Sequence, residues 1–309
     1  MRSRKHRACN RCGETAVDAT HPLSVMMIAA VVWWLSTGLV LIAVRRASRG
    51  DRQGWAVMAG MTLAGLAGVA LLAFGRDQLT PLGSYAGFFG ALLVWAWHEA
   101  AFLTGLLTGP SKDECPEGLT GLARFRAAFL AVRDHEIAIL VTAAILWLGL
   151  IGGQNHFGLA TFLLLWGMRI SAKFVIFLGA PNAVSELMPA RIAHLKSYFN
   201  TDGITPLFPL VIAAAAGLLI VLCVGASQAQ APHSTVGHLL LATFMALAIL
   251  EHFILVLPVS DAALWRWAAP KDTIAAVAAS AEAETTRAVK PAPDRRIGAA
   301  LHANSKGRN

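Results

Sequence analysis

Charge is scarce in this chain. Only 14% of its 309 residues are Asp, Glu, Lys or Arg, whereas a soluble globular domain carries roughly a quarter. With 56% hydrophobic residues and a mean hydropathy of +0.57, the apolar surplus exceeds what one core can bury. Lipid is therefore expected to solvate much of the surface. Cysteine is sparse too, with four in all. Cys9 and Cys12 form a lone C-x-x-C without a second pair, which argues against a zinc knuckle. Cys115 falls in a loop expected to be cytoplasmic, where a thiol stays reduced, and Cys223 reads as apolar filler. The alternating ten-residue strands of a membrane barrel are missing, as are the inverted repeats and broken helices of a secondary transporter. No cleavable signal peptide is evident, because the first apolar stretch is too long and lacks a small-residue cleavage site.

What is present is a series of long apolar runs. Seven stretches suffice to cross a bilayer core, which needs about 20 apolar residues: 23–44, 55–74, 85–107, 137–153, 157–179, 207–224 and 237–257. Few turn residues interrupt them, and helices satisfy their own backbone in lipid. The expected fold is an all-α integral membrane protein, a bundle of about seven transmembrane helices with no soluble catalytic domain. The fourth run is short; residues 121–134 before it either lie on the membrane surface or extend the span.

Lys and Arg set the expected orientation. Arg45, Arg46, Arg49 and Arg52 follow the first run; Lys112, Arg124, Arg126 and Arg133 follow the third; Arg191 and Lys196 follow the fifth. The opposite connections hold only Arg76. The positive-inside rule puts the rich side and the C-terminus in the cytoplasm. The working face is expected there, on the longer connections. Arg2, Arg4, Lys5, Arg7 and Arg11 then load an outward N-terminus awkwardly, which points to a later working start at Met26 or Met27. The organisation read from this is a basic tail at 1–21, a polytopic membrane bundle at 22–268 and a disordered cytoplasmic tail at 269–309. The net charge of +8 suits an anionic membrane face; no nucleic-acid partner is expected.

Smaller features read as packing. Gly60, Ala64 and Gly68 form a small-residue stripe for close helix approach. Pro206 and Pro209 open the sixth span, where a proline is tolerated. Trp265 and Trp267 fit an interfacial anchor, Asp261 a cap or ion-pair partner, and His156, His233 and His238 interfacial histidines.

Ionisable residues inside the spans need an explanation, since each costs several kcal/mol unless compensated. His98-Glu99, His135-Glu136 and Glu251-His252 lie at similar depth in the third, fourth and seventh spans. The fifth adds Arg169 and Lys173, one turn apart on one face, and the loop after it adds Glu186 and His194. Three chemistries suit such a layer. The set His98, Glu99, His135, Glu136, Glu186, His194, Glu251 and His252 resembles the donor types of a di-iron or di-manganese bundle, although adjacent pairs diverge by about 100° around a helix. His98 and His252 with Arg169 and Lys173 suit a tetrapyrrole, the imidazole as axial ligand and the cations meeting acidic substituents. Acid–base pairs also bind anions or relay protons. Against all three stands a purely structural reading, in which Glu99, Glu136 and Glu251 neutralise Arg169, Lys173 and the histidines as buried ion pairs.

Several segments resemble a known family. Trp97-His98-Glu99, Phe102-Leu103-Thr104-Gly105, Thr108-Gly109-Pro110 and Cys115-Pro116 are similar to the PuhE-type photosynthetic complex assembly protein of purple bacteria. So are Phe157-Gly158, Met168-Arg169, Ser171-Ala172-Lys173, Pro181-Asn182, His194-Leu195-Lys196-Ser197-Tyr198-Phe199 and Leu207-Phe208-Pro209. The resemblance covers about the central two-thirds of the chain, ending near Trp265-Arg266-Trp267; at Phe174-Val175 the family pattern would have Leu-Asn. It implies a multi-pass protein of the bacterial inner or intracytoplasmic membrane. Its partners would be reaction-centre or light-harvesting subunits or other assembly factors, and bacteriochlorophyll or a precursor. The competing expectation is a membrane metallo-oxidoreductase acting on a pigment precursor, quinone or carotenoid.

Overall fold

A computed structural model describes residues 18–183, 187–259, 264, 265, 267 and 268. These all belong to one helical unit that ends at Ala268. Expectations about the C-x-x-C motif, the basic residues from Arg2 to Arg11, the C-terminal tail, Glu186 and Asp261 fall outside the described residues. Among those described there are seven α-helices and no strand. They are α1 (Pro22–Ala47), α2 (Asp51–Gly75), α3 (Pro81–Leu103), α4 (Gly121–Leu150), α5 (Phe157–Leu178), α6 (Leu207–Gln228) and α7 (Pro232–Ile254). A 3₁₀ segment, Ala190–Tyr198, joins them in the long connection after α5. Three helices begin with proline, where the missing N–H costs nothing; Thr80 caps α3 by accepting from the Gly83 N–H at 3.1 Å.

Six of the seven helices are long and apolar enough to span a membrane. The exception is α4, whose first half carries Arg124, Arg126, Arg133 and Asp134. The alternatives at 121–134 resolve into one continuous 30-residue helix. At 1.5 Å per residue it is about 45 Å long, so its charged first half reaches beyond an apolar core of about 30 Å. The outer faces are apolar: Leu63 and Leu66 on α2, Leu140, Ile145 and Leu148 on α4, and Leu210, Ile220 and Val221 on α6 are all exposed. Such faces suit lipid, and the chain is a multi-pass membrane protein.

The helices alternate in direction, which gives the bundle a short-loop and a long-loop end. At the first, the Asn155 N–H donates to Arg76 O, Arg76 Nη2 to Ile151 O, and Ser84 Oγ to His233 O. Ala19, ahead of α1, accepts from the Tyr85 hydroxyl at this same end. At the other, Arg124 donates to the carbonyls of Phe177 and Tyr198, and the Asn182 N–H to Leu255 O. Ordered turns follow α3 and α5 here, and the His135 N–H reaches Thr108 O.

Packing revises two expectations. The close contact between α2 and α3 runs through Gly68, where a Cβ would lie 2.7 Å from Gly90 O, whereas Gly60 faces open space. The small-residue stripe therefore works only at its far end. Trp265 and Trp267 are not simple anchors. Trp265 donates to Trp34 O while Trp34 donates to Leu264 O, and Trp267 packs on the Trp34 ring at 5.1 Å. The segment after α7 is thus tied back to α1.

Candidate functional site

Four helices carry the polar layer, and each acid–histidine pair is split by helical rotation. Neighbouring residues on a helix point about 100° apart, so His98 and Glu99 cannot face the same partner. Glu99 turns to α5 and accepts from Arg169 Nη2 at 2.8 Å. His98 turns to α4, with Nε2 at 3.0 Å from the Thr142 hydroxyl. On α4, Glu136 pairs with Lys173, while His135 lies at a ring distance of 6.4 Å from His98 and 4.5 Å from Phe102. The Lys173 ammonium also stands 5.2 Å over the Phe102 ring. The α5 cations are thus each neutralised by one carboxylate from a facing helix.

On α7 the split is the same. His252 turns toward α5, with Nε2 at 2.9 Å from the Ser171 hydroxyl. Its Nδ1 lies 2.8 Å from Ala248 O; a carbonyl only accepts, so Nδ1 carries a proton. Glu251 is exposed and accepts from the Trp33 indole of α1 at 2.7 Å, within electrostatic reach of Arg169 and Glu99. His194 stands apart, beside Lys112 and Asp113 in the long-loop end; burial, with Lys112 next to it, holds its imidazole below the ordinary range.

The layer forms, then, but with different pairings from those of a metal bundle. Among the described residues no three of His, Cys, Asp and Glu approach closely enough to hold a metal ion. The physical reason is the pairing: Glu99 and Glu136 are taken up by cations, Glu251 by an indole, and His98 and His252 stand beside hydroxyls. The donor set expected for two metals is not assembled there. For a tetrapyrrole, the three imidazoles are buried, with His98 2% exposed, His135 0% and His252 2%, and both His252 nitrogens have partners. Arg169 and Lys173 are likewise already paired and do not wait for acidic substituents.

Sequence reasoning missed Trp33, Thr142 and Ser171, the neutral partners of this layer. A hydroxyl or indole inside an apolar span was the available signal, since in lipid each must find a partner. At Phe174-Val175, Val175 is fully buried and Phe174 stacks on Phe125 at 6.2 Å, so this departure from the family pattern makes an apolar contact.

Many polar atoms in the layer have no hydrogen-bond partner although they are buried. They are His98 Nδ1, Glu99 Oε1, both His135 ring nitrogens, Trp166 Nε1 and Arg169 Nε. On the short-loop side an apolar cluster containing Leu72, Val94, Ile139, Leu146 and Phe162 closes the layer off.

Two comparisons bear on this chain. The family described as a protein of unknown function, DUF3623, matches residues 19–276. A relative from Rhodobacter capsulatus is 35% identical over 256 residues, covering 81% of this chain and 92% of its own. It is named as an uncharacterized 30.4 kDa protein in the puhA 5′ region. No solved structure matches.

Proposed function

The chain belongs to that family of unknown function, and from this premise we propose that it is an inner-membrane factor for photosynthetic complex assembly or bacteriochlorophyll supply. The relative's name supports the pathway: it refers to the puhA region of Rhodobacter capsulatus, the same name series as the PuhE-type family that the sequence resembles. One geometric observation supports a working site. Two ion pairs, Glu99–Arg169 and Glu136–Lys173, and three buried histidines share one layer beside an exposed Glu251. Charged groups at apolar depth are expensive, and function is the default reading for them. His98, Glu99, His135, Glu136, Arg169, Lys173, Glu251 and His252 form this site, with the long-loop end and C-terminus on the cytoplasmic side. Reaction-centre or light-harvesting subunits, or other assembly factors, are its partners.

The test is a replacement in Rhodobacter capsulatus. Deleting the gene of the relative and supplying this chain should restore the near-infrared absorbance of the pigment–protein complexes to its undeleted level. The Glu99→Gln variant, at matched protein level in the membrane, should fail to do so. Unchanged absorbance after the deletion itself would remove the photosynthetic role.

A further inference from the structure

Most cations at the long-loop end are already engaged. Arg124 donates to the carbonyls of Phe177 and Tyr198, and Lys112 to the Thr108 hydroxyl. Arg133 pairs with Asp134 and Lys173 with Glu136. The turn between α1 and α2 is different. Positions 45–52 hold four arginines against one acid, Asp51, and that acid lies 4.0 Å from Arg191. Arg46, Arg49 and Arg52 are exposed. Among the described residues none of the three has a side-chain hydrogen bond or an ion pair.

Depth narrows what answers them. The apolar run of α2 from Trp55 to Phe74 is about 30 Å long at 1.5 Å per residue, the thickness of a bilayer core. Trp55 therefore marks the edge of that core, and Arg52, nearly one turn earlier, stands level with the phosphates. The run of α1 ends just ahead of Arg45 and Arg46, which puts the whole turn at this level. A soluble acidic partner would have to push between headgroups to reach it. A phospholipid already presents its phosphate there.

The face next to the arginines supplies the apolar half. Arg52 and Trp55 are three residues apart and share a helix face, and Trp55 is 73% exposed. Further along this face Ala56, Ala59 and Gly60 are exposed, and a Cβ at Gly60 would meet nothing within 4 Å. Leu63, 68% exposed, follows. Between the Trp55 and Leu63 side chains the helix surface is thus a shallow step lined by small residues. The end of the small-residue stripe that α3 leaves untouched lies in this step.

We propose that the α1–α2 turn binds an anionic phospholipid. The guanidinium groups of Arg46, Arg49 and Arg52 hold its phosphate, and an acyl chain runs past Trp55 along the step at Ala56 and Gly60. The surplus of positive charge favours a headgroup of net negative charge over a zwitterionic one. This site is independent of the photosynthetic role.

The experiment is native mass spectrometry of the full chain in detergent, titrated with phosphatidylglycerol and, for comparison, with phosphatidylcholine. Phosphatidylglycerol should be retained in preference. Arg49→Gln combined with Arg52→Gln should weaken it roughly tenfold, through the loss of two surface cations. Arg126→Gln combined with Lys196→Gln removes the same charge from the same end. Those two side chains also have no partner among the described residues, and their loss should leave retention unchanged. Gly60→Leu alters no charge and should lower retention by filling the step. An unfolding midpoint equal to that of the wild type shows that each variant is folded. Equal losses in the two double variants would overturn the proposal, because a general surface field would then hold the lipid. Equal retention of phosphatidylcholine, or full retention by Gly60→Leu, would overturn it as well. So would displacement of phosphatidylglycerol by inorganic phosphate at the same concentration, which would assign the arginines to a free anion.

Discussion

Glu136 and Lys173 show how a charge is carried at apolar depth. A lone charge among α3, α4 and α5 would be costly; as a pair the two cancel, and the Phe102 ring faces the ammonium. Breaking such a pair is worse than removing it whole, because the survivor keeps its desolvation cost. Glu136→Gln should therefore destabilise the protein by about 2 kcal/mol, below the fully buried range because both side chains retain some exposure. Glu136→Leu combined with Lys173→Leu should recover most of that loss. Thermal unfolding of the single and double variants in detergent checks it, and additive losses would show that the two side chains are not coupled. At the same scale, the acids and cations of this layer were legible as residues. Their partners were not, because which of two adjacent residues faces which helix depends on a rotation that the chain order does not state.

Helices meet where side chains are smallest. Gly68 allows α2 to approach α3 so closely that a methyl group would collide with Gly90 O and the Leu93 side chain. Gly60, two turns away on the same stripe, meets nothing. Gly68→Leu should lower the unfolding midpoint by about 5 °C through overpacking, and Gly60→Leu should leave it within the scatter of the measurement. A stripe of small residues one turn apart is visible in the sequence, but its working part is decided by where the neighbouring helix crosses. The same holds for α4. Its charged first half was open to two readings, and the continuous helix follows from partners at its start: Arg124 reaches the Phe177 and Tyr198 carbonyls and leans on the Phe177 ring at 4.5 Å.

The described helices form a bundle with unequal ends. The proposed orientation puts the long-loop end in the cytoplasm, the side favoured by Lys and Arg. In a variant whose only cysteine is Cys115, an impermeant maleimide should label spheroplasts only after lysis. A variant with Gln78→Cys as its only cysteine should label while the spheroplasts are intact. The reverse pattern would invert the bundle and move the polar layer to the opposite leaflet. The ordered turns after α3 and α5 gather at this end, so a partner arriving from the cytoplasm would meet them first.

Composition and run length by themselves determined that this chain is helical and lives in lipid, because an apolar segment without internal hydrogen bonds has no other stable form there. They also placed the acids, imidazoles and cations at one depth, since depth follows from counting residues along each rod at a constant rise. Rotation about each rod is a different quantity. It is set by packing against the neighbours, and only the tertiary structure decided that Glu99 meets Arg169, that Glu251 meets Trp33, and that the imidazoles turn away from the carboxylates.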